Sequence, residues 1–273
     1  MTIEGNDSSG GGGMLAKRYH QSGIDTLITA LYNRLSSYYS TAKSLVYDTL
    51  ILRMTEKWYR AVLLQVKDGS IILDVGVGTG GALLRCADLI TSKQLIIVGI
   101  DIDAAYVEAG KVAIIAANLS DRVSIDKVDV YDGKEKLSDL VTKLSGGRTR
   151  TANDKAAAKG QFVDAVYFSG SFSLLPDPVK ALRLVSTFVI TEGKNNADPK
   201  VYITQTYQRH TPFFLPYVKP LLKYATTIDF GQLVKEEDVL QTFKESGLEI
   251  VEHGVIPDSI DNRFQAAYLS ILR

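Results

Sequence analysis

The sequence predicts an α/β protein: a doubly wound, seven-stranded, mainly parallel sheet with an antiparallel terminal strand and a helical N-terminal elaboration. Three observations carry that expectation. Seven apolar runs of strand length, rich in β-branched and aromatic residues, recur along the chain. Helical patterns separate the first five of them. The first run leads straight into a glycine cluster and then into a helical pattern. Strands that alternate with helices and are apolar on both sides build a parallel sheet covered on both faces.

Residues 1–14 contain a run of glycines and few apolar side chains, too few to fold, and are expected to be a disordered tail. They have neither the basic start nor the apolar centre of a signal peptide. From Ile24 to Val66 apolar residues recur every three or four positions, among them Leu27, Leu31, Leu35, Leu45, Trp58, Val62 and Leu63. That spacing predicts two or three helices, a cap at 15–67 that buries little core of its own and elaborates a main domain at 68–273.

In the main domain the expected strands are Ile71–Val75, Gln94–Asp101, Arg122–Asp129, Phe162–Ser169, Lys200–Thr206, Leu248–Gly254 and Phe264–Leu272. A helix is expected over Ala82–Ile90 and another from Ile102, with Asp103 as N-cap. Pro176-Asp177-Pro178 begins a further one. Only a short polar link, Asp258 to Asn262, joins the last two strands, which predicts an antiparallel pair at one edge.

Two segments break the rhythm. Residues 146–161 are small and Lys-bearing without periodicity, as in a flexible, solvated surface loop. Residues 207–234 carry many aromatics, and Pro212, Pro216 and Pro220 prevent one continuous helix. So many aromatics must bury against something: the N-terminal helices, a substrate that the segment caps, or a lipid interface.

Composition narrows the function. Lys and Arg total 31, as do Asp and Glu, so no net charge draws the chain to nucleic acid or an anionic membrane. Cys86 is the single cysteine, which rules out an intrachain disulfide and fits a reducing, cytoplasmic setting. It lies within a helical run and reads as core. No apolar run reaches the roughly 18 residues of a membrane span. No His/Cys group has zinc-site spacing, so no metal is expected. Nothing in the sequence fixes the oligomeric state.

The chemistry is concentrated at Asp74-Val75-Gly76-Val77-Gly78-Thr79-Gly80-Gly81. Two templates fit. Gly76, Gly78 and Gly81 match G-x-G-x-x-G, with Asp101 at the distance of a ribose-binding acid, as NAD(P) sites require. The same stretch matches D-x-G-x-G-x-G. A carboxylate at the mouth of the turn repels a pyrophosphate, whereas S-adenosylmethionine (SAM) has no phosphate and carries an ammonium and a sulfonium. Asp74 therefore favours SAM, with an NAD(P)-dependent oxidoreductase as the alternative.

Further along, Val98-Gly99-Ile100-Asp101, Val128-Asp129-Val130 and Phe162-Val163-Asp164-Ala165-Val166-Tyr167 follow in order. Together with the glycine stretch they resemble the ordered motifs of class I SAM-dependent methyltransferases, over roughly Ser70 to Arg273. The resemblance implies a seven-stranded fold ending in an antiparallel strand. It implies that Asp74 and the backbone of Gly76, Val77, Gly78, Thr79 and Gly80 line the methionine end of SAM. Asp101 and Ile102 would meet the ribose, and Asp129 with Val130 the adenine edge. Asp126 and Asp132 compete with Asp129 for that role. Ser169 and Gly170 would lie near the methyl donor.

The stretch Ser169–Asp177 lacks the Asn/Asp-Pro-Pro-Tyr signature of nucleic-acid amino-methylating enzymes and the paired glutamates of protein arginine methyltransferases. With zero net charge, this points to a small-molecule acceptor. Tyr32-Asn33-Arg34-Leu35-Ser36-Ser37-Tyr38-Tyr39 is similar to the N-terminal Tyr-Asp-x-x-Ala-x-x-Tyr-Asp segment of methyltransferases acting on quinone and lipid precursors. Asn33, Ser36 and Ser40 depart from that pattern. Candidates for a general base are His210, Tyr207, Tyr32 and Tyr39. A non-catalytic partner subunit with a SAM-type fold is a further alternative.

Overall fold

A computed structural model describes residues 52–132, 134–144, 163–189, 201–209 and 234–273. The expected tail, the helices before residue 52, the loop at 146–161 and most of the 207–234 segment lie outside the described residues, as do Tyr32, Tyr39 and His210.

The described chain opens on α1 (Leu52–Gln65), then β1 (Ile71–Val75), α2 (Gly81–Leu84), α3 (Ala87–Ser92), β2 (Ile96–Asp101), α4 (Ala104–Ala116) and β3 (Val123–Lys127). There follow α5 (Lys134–Leu144), β4 (Ala165–Ser169), one 3-10 turn (Phe172–Leu174), α6 (Pro178–Ser186) and β5 (Val201–Gln208). The chain ends with α7 (Glu236–Ser246), β6 (Ile250–Val255) and β7 (Gln265–Leu272). The seven strands form one sheet in the order β3-β2-β1-β4-β5-β7-β6.

The first five strands pair in parallel. β7 runs antiparallel between β5 and β6, in register from Val201↔Leu272 to Gln208↔Gln265 on one side. The expected antiparallel terminal pair is thus present, with β6 outermost and bulged between Ile250 and Glu252. A bulge bends an edge strand away from further pairing.

Strand alternation divides the core between two faces. Ile71, Leu73 and Val75 face a layer that includes Leu137 and Val141 of α5, Leu182 and Val185 of α6 and Phe243 of α7. Ile72 faces the other layer, with Trp58, Tyr59, Val62 and Leu63 of α1, Leu83, Ile90, Val107 and Ile114. Asp74, two residues on from Ile72 and opposite Tyr167, shares this second face.

Strand order runs leftward from β1 to β3 and rightward from β1 to β4. At such a reversal the connections leave in opposite directions and open a crevice at the carboxyl ends of the two strands. The glycine turn after β1 and Ser169-Gly170 after β4 both stand at that crevice.

The structure departs from the sequence reading in local detail. The helix expected over Ala82–Ile90 breaks at Arg85-Cys86 into α2 and α3. The break buries Cys86 completely, its Sγ donating weakly to the carbonyls of Ala82 and Glu56. Burial pushes that thiol up to about 12, so Cys86 is an inert core residue. β4 begins at Ala165 rather than Phe162, because Asp164 turns the chain: its carboxylate accepts from the Ile71 amide and its own amide donates to the Ile71 carbonyl. β3 ends at Lys127, two residues early, where Asp129 begins a turn.

The glycine turn is backbone geometry that a side chain disrupts. Gly76 has φ +74° and Gly78 φ +61°. A Cβ on Gly76 would stand 2.4 Å from Ser171 Cβ, while one on Gly78 would meet nothing within 4 Å. Gly76→Ala should therefore cost roughly 2–4 kcal/mol, combining strain and overlap. Gly78→Ala should cost about 1 kcal/mol from its φ alone. Urea unfolding of the two variants measures the difference, and equal costs would refute this assignment of the Ser171 contact.

Candidate active site

Backbone hydrogen bonds hold the glycine turn against β2. The amides of Gly76 and Val77 both donate to the Ile100 carbonyl, at 2.8 and 3.2 Å, and Gly80 N donates to the Val77 carbonyl at 3.1 Å. Gly99 permits the approach of Val77: a Cβ there would lie 2.8 Å from Val77 Cγ1. Thr79 is half-buried in the turn.

Asp101 closes β2 and joins two loops through one carboxylate. Its Oδ2 accepts from Gly78 N at 2.8 Å and its Oδ1 from Asp103 N at 2.9 Å. Asp103 serves as the cap of α4, accepting from the amides of Ala105 and Tyr106. Between the two acids Ile102 is 68% exposed, an apolar shelf beside a carboxylate. The Val128 amide donates to the Asp101 carbonyl at 3.0 Å, which brings the segment after β3 alongside.

In that segment Val130 is buried and Asp129 exposed, its Oδ1 accepting from the Tyr131 amide at 2.9 Å. The competing acids are engaged elsewhere. Asp126 accepts from its neighbour's amide, and Asp132 pairs with Lys136 at 2.7 Å, which holds its carboxyl below the usual range. The Tyr131 hydroxyl donates to the Asp177 carbonyl at 2.7 Å.

The opposite wall comes from the end of β4. Gly170 has φ +73°, and its amide donates to the Thr204 carbonyl. The Ser171 hydroxyl donates to the Val75 carbonyl and so stitches this wall to the end of β1. Trp58 of α1 closes over Gly170, where a Cβ would lie 3.2 Å from its ring. The Trp58 indole also donates to Ser259 Oγ at 2.9 Å, tying α1 to the β6–β7 connection.

Beneath the turn lies a buried polar group. Asp74 is 0% exposed; its Oδ2 accepts from the Tyr59 hydroxyl at 2.7 Å, and its Oδ1 has no partner. Loss of hydration pushes this carboxyl up to about 7, the Tyr59 hydrogen bond pulls it down, and Asp101 pushes it up again. Tyr59 packs edge-on against Tyr167, centroids 5.1 Å apart, and burial holds its phenol well above the ordinary value. The Tyr167 hydroxyl is shared with Thr204 Oγ1 at 2.8 Å. Ser169 Oγ is buried beside the Tyr59 and Tyr167 phenols and lowers both against the effect of burial.

The structure therefore brings Asp74, Gly76, Val77, Gly78, Thr79, Gly80, Asp101, Ile102, Ser169 and Gly170 to one crevice, with Asp129 and Val130 following at its β3 side. Tyr207 stands apart. It lies at the end of β5 on the other face of the sheet, 1% exposed. Burial raises its phenol, so at neutral pH it keeps its proton and makes a poor base. Its neighbours are the rings of His253 and Tyr268, with His253 held between Ser270 Oγ at 2.8 Å and Glu236 Oε1 at 3.0 Å. Among the described residues no cluster of His, Cys, Asp and Glu could hold a metal ion.

Two residues of the site escape sequence reasoning, Tyr59 and Ser171. Tyr59 stands in the same apolar stripe as Val62, Leu63 and Val66, and the stripe says nothing of where the hydroxyl goes. Ser171 stands among small polar residues, and nothing in that run says that its hydroxyl reaches back to the end of β1.

No protein-family model and no curated protein matches the chain. Solved structures do. One is a SAM-dependent methyltransferase from Aquifex aeolicus, 14% identical, with a TM-score of 0.51 over 87% of this chain and 98% of the other. The [4+2]-cyclase SpnF is similar at 16% identity and a TM-score of 0.52, over 80% of each chain. A geranyl diphosphate methyltransferase in complex with SAM is 12% identical, with a TM-score of 0.51 over 80% of this chain and 84% of its own. The chain has the fold of SAM-dependent methyltransferases.

The raised carboxyl of Asp74 has a consequence for stability. The folded protein binds this proton more tightly than the unfolded chain, whose carboxyl titrates near 3.8. Stability from the group is thus fully present below about pH 4 and lost as pH rises through about 7, by roughly 4 kcal/mol in total at about 1.4 kcal/mol per pH unit. Asp74→Asn removes this dependence. Urea unfolding between about pH 5 and pH 8 should show the variant gaining on the parent as pH rises; a constant gap would contradict the assignment.

Proposed function

We propose that the protein is a SAM-dependent methyltransferase acting on a small, apolar or aromatic acceptor. The observation that carries this is the pairing of two carboxylates with one glycine turn: Asp101 fixed to the Gly78 amide, and Asp74 buried below it without a cationic partner among the described residues. Acids on both sides of the turn suit a cation and disfavour a pyrophosphate. The antiparallel β7 between β5 and β6 also differs from the dinucleotide-binding sheet. Both points favour SAM over NAD(P).

The residues present fit such a cofactor. The backbone of Gly76, Val77, Gly78, Thr79 and Gly80, with Asp74 below, would hold its methionine end. Asp101 would accept from the ribose hydroxyls, Ile102 would cover an apolar face, and Asp129 with Val130 would meet the adenine edge. Bound there, SAM supplies an electrophilic methyl group. The protein's part is alignment and exclusion of water: the Ser169-Gly170 wall is stitched to β1 through Ser171 and lies against Trp58, and a wall held in this way would align an acceptor with the methyl group.

The nature of the acceptor rests on the aromatic, proline-interrupted residues 207–234 and on the Tyr32–Tyr39 segment. The first of these springs from the crevice side of the sheet. β5 ends at Gln208, whose amide donates to the Val234 carbonyl, and Gln208 bridges to Lys235. An aromatic cap rooted there suits a quinone- or lipid-like molecule. His210, Tyr32 and Tyr39 are the base candidates for an oxygen or nitrogen acceptor, and Tyr207 packs against the rings of His253 and Tyr268. The single, buried Cys86 supports a cytoplasmic setting, and no helix among the described residues is long and apolar enough to cross a membrane.

Calorimetry should show SAM binding in preference to NAD(P). Asp101→Ala should weaken it roughly 10- to 100-fold, the effect of losing hydrogen bonds to a charged group. Absence of SAM binding by the parent protein would overturn the proposal. Because one structure of this fold belongs to a cyclase, product detection is also needed. Incubation of a metabolite extract with methyl-labelled SAM should yield a labelled small molecule by mass spectrometry.

A further inference from the structure

We propose that Tyr59 is a positioning residue for the methyl donor: its hydroxyl, donated to Asp74 Oδ2, keeps that buried carboxylate charged for a cationic ligand, so that donor affinity is gated by the proton on Asp74. This rests on the reading that the crevice binds SAM, and adds a residue that lies outside the sheet, on α1, and outside every sequence motif noted above.

The geometry is that of a charge left incomplete. A carboxylate removed from water needs several donors or a cation, and it neutralises itself by taking up a proton when it lacks them. Asp74 is wholly buried and has one donor, the Tyr59 hydroxyl at 2.7 Å; its Oδ1 has none. No lysine, arginine or histidine among the described residues pairs with it. The titratable groups around it are Tyr59 from α1, Tyr167 from β4 and Asp101 at the end of β2, while Cys86 between α2 and α3 faces Tyr167. These are phenols, a carboxyl and a thiol, none of which carries a positive charge, so none supplies the missing cation.

The position of Asp74 indicates what does. The carboxylate lies one residue before the end of β1, directly before the turn whose amides are tied to Ile100 and Asp101. A ligand bringing an ammonium or sulfonium to that turn completes the group. Its carboxyl sits at about 7 in the free protein, so near neutrality a sizeable fraction is protonated and must lose that proton as the cation binds. Removing the Tyr59 hydroxyl takes away the one interaction that favours the charged form, and the carboxyl rises further. Buried edge-on against Tyr167, Tyr59 fixes the direction of its donor as well.

The test is calorimetry of SAM binding to the full chain between about pH 6 and pH 9, in two buffers of different ionisation enthalpy. For the parent, affinity should rise through neutrality, with protons released on binding near pH 7. For Tyr59→Phe, the rise and the proton release should move to higher pH by about one pH unit or more. Affinity near pH 7 should then fall roughly tenfold for each pH unit by which the profile moves, and be regained under alkaline conditions. The donor's own amine titrates equally in both titrations, so the difference between profiles reports on Asp74. Asp74→Asn should bind weakly, with no protein proton released. An equal loss at every pH for Tyr59→Phe, or a profile superimposable on the parent's, would overturn the inference while leaving the methyltransferase reading intact. Failure of the parent to bind SAM at any pH would overturn both. A parent-like circular dichroism spectrum and a cooperative unfolding transition above the titration temperature for Tyr59→Phe, at whatever midpoint, identify the change in profile as electrostatic rather than as a loss of fold.

Discussion

A carboxylate stripped of water sits inside the sheet, on an interior strand, and much of the surrounding structure answers to it. β1 is otherwise apolar, and its neighbours in the second layer are hydrocarbon and aromatic. Leaving Asp74 there without a donor would cost several kcal/mol. The hydroxyl of Tyr59 offsets part of that cost, and it can do so only if α1 crosses the sheet at one height and one rotation. The same placement sets Trp58 against Gly170 and its indole against Ser259. One buried polar contact thereby fixes the helix that roofs the crevice and, through it, the connection between the last two strands.

The two ends of the sheet are built from different materials. Around the glycine turn the parts are backbone amides, three short acids and glycines at positive φ, held to one another by hydrogen bonds of ordinary length. Toward β5, β6 and β7 the parts are aromatic: Tyr207, His253 and Tyr268 pack ring on ring, Glu236 and Ser270 hold the imidazole, and Arg209 pairs with Asp261 beside Tyr268. The first kind of construction tolerates little change in shape, since each donor has a fixed acceptor. Aromatic packing is held by area and accommodates substitution more readily.

The glycine turn and the acids around it are legible in the sequence because their demands are local. Gly76, Gly78 and Asp101 announce themselves by residue type and spacing, and β-branched runs mark the buried strands. Elements whose boundaries depend on distant partners are not legible in the same way. The break after the glycine turn places Cys86 against a carbonyl of α1, and β4 starts late because Asp164 is drawn to Ile71; neither partner is near in sequence. Tyr59 is hidden for the same reason. An aromatic at helical spacing reads as core, and only the fold reveals that its hydroxyl meets a carboxylate fifteen residues away on β1. Tyr207 shows the converse: its chemistry suggests a base, and its burial makes it a poor one.

The junction between β5 and the segment preceding α7 carries a different kind of consequence. Gln208 and Val234 are joined by a backbone hydrogen bond, so the intervening residues leave and rejoin the sheet at a single neck. Closing a chain at a neck costs an entropy that grows only with the logarithm of its length, about 0.6 kcal/mol for each doubling. Insertions, deletions and wholesale exchange of sequence beyond the neck are therefore nearly invisible to the stability of the sheet. That makes the neck the natural splice point for exchanging the intervening sequence without disturbing the sheet.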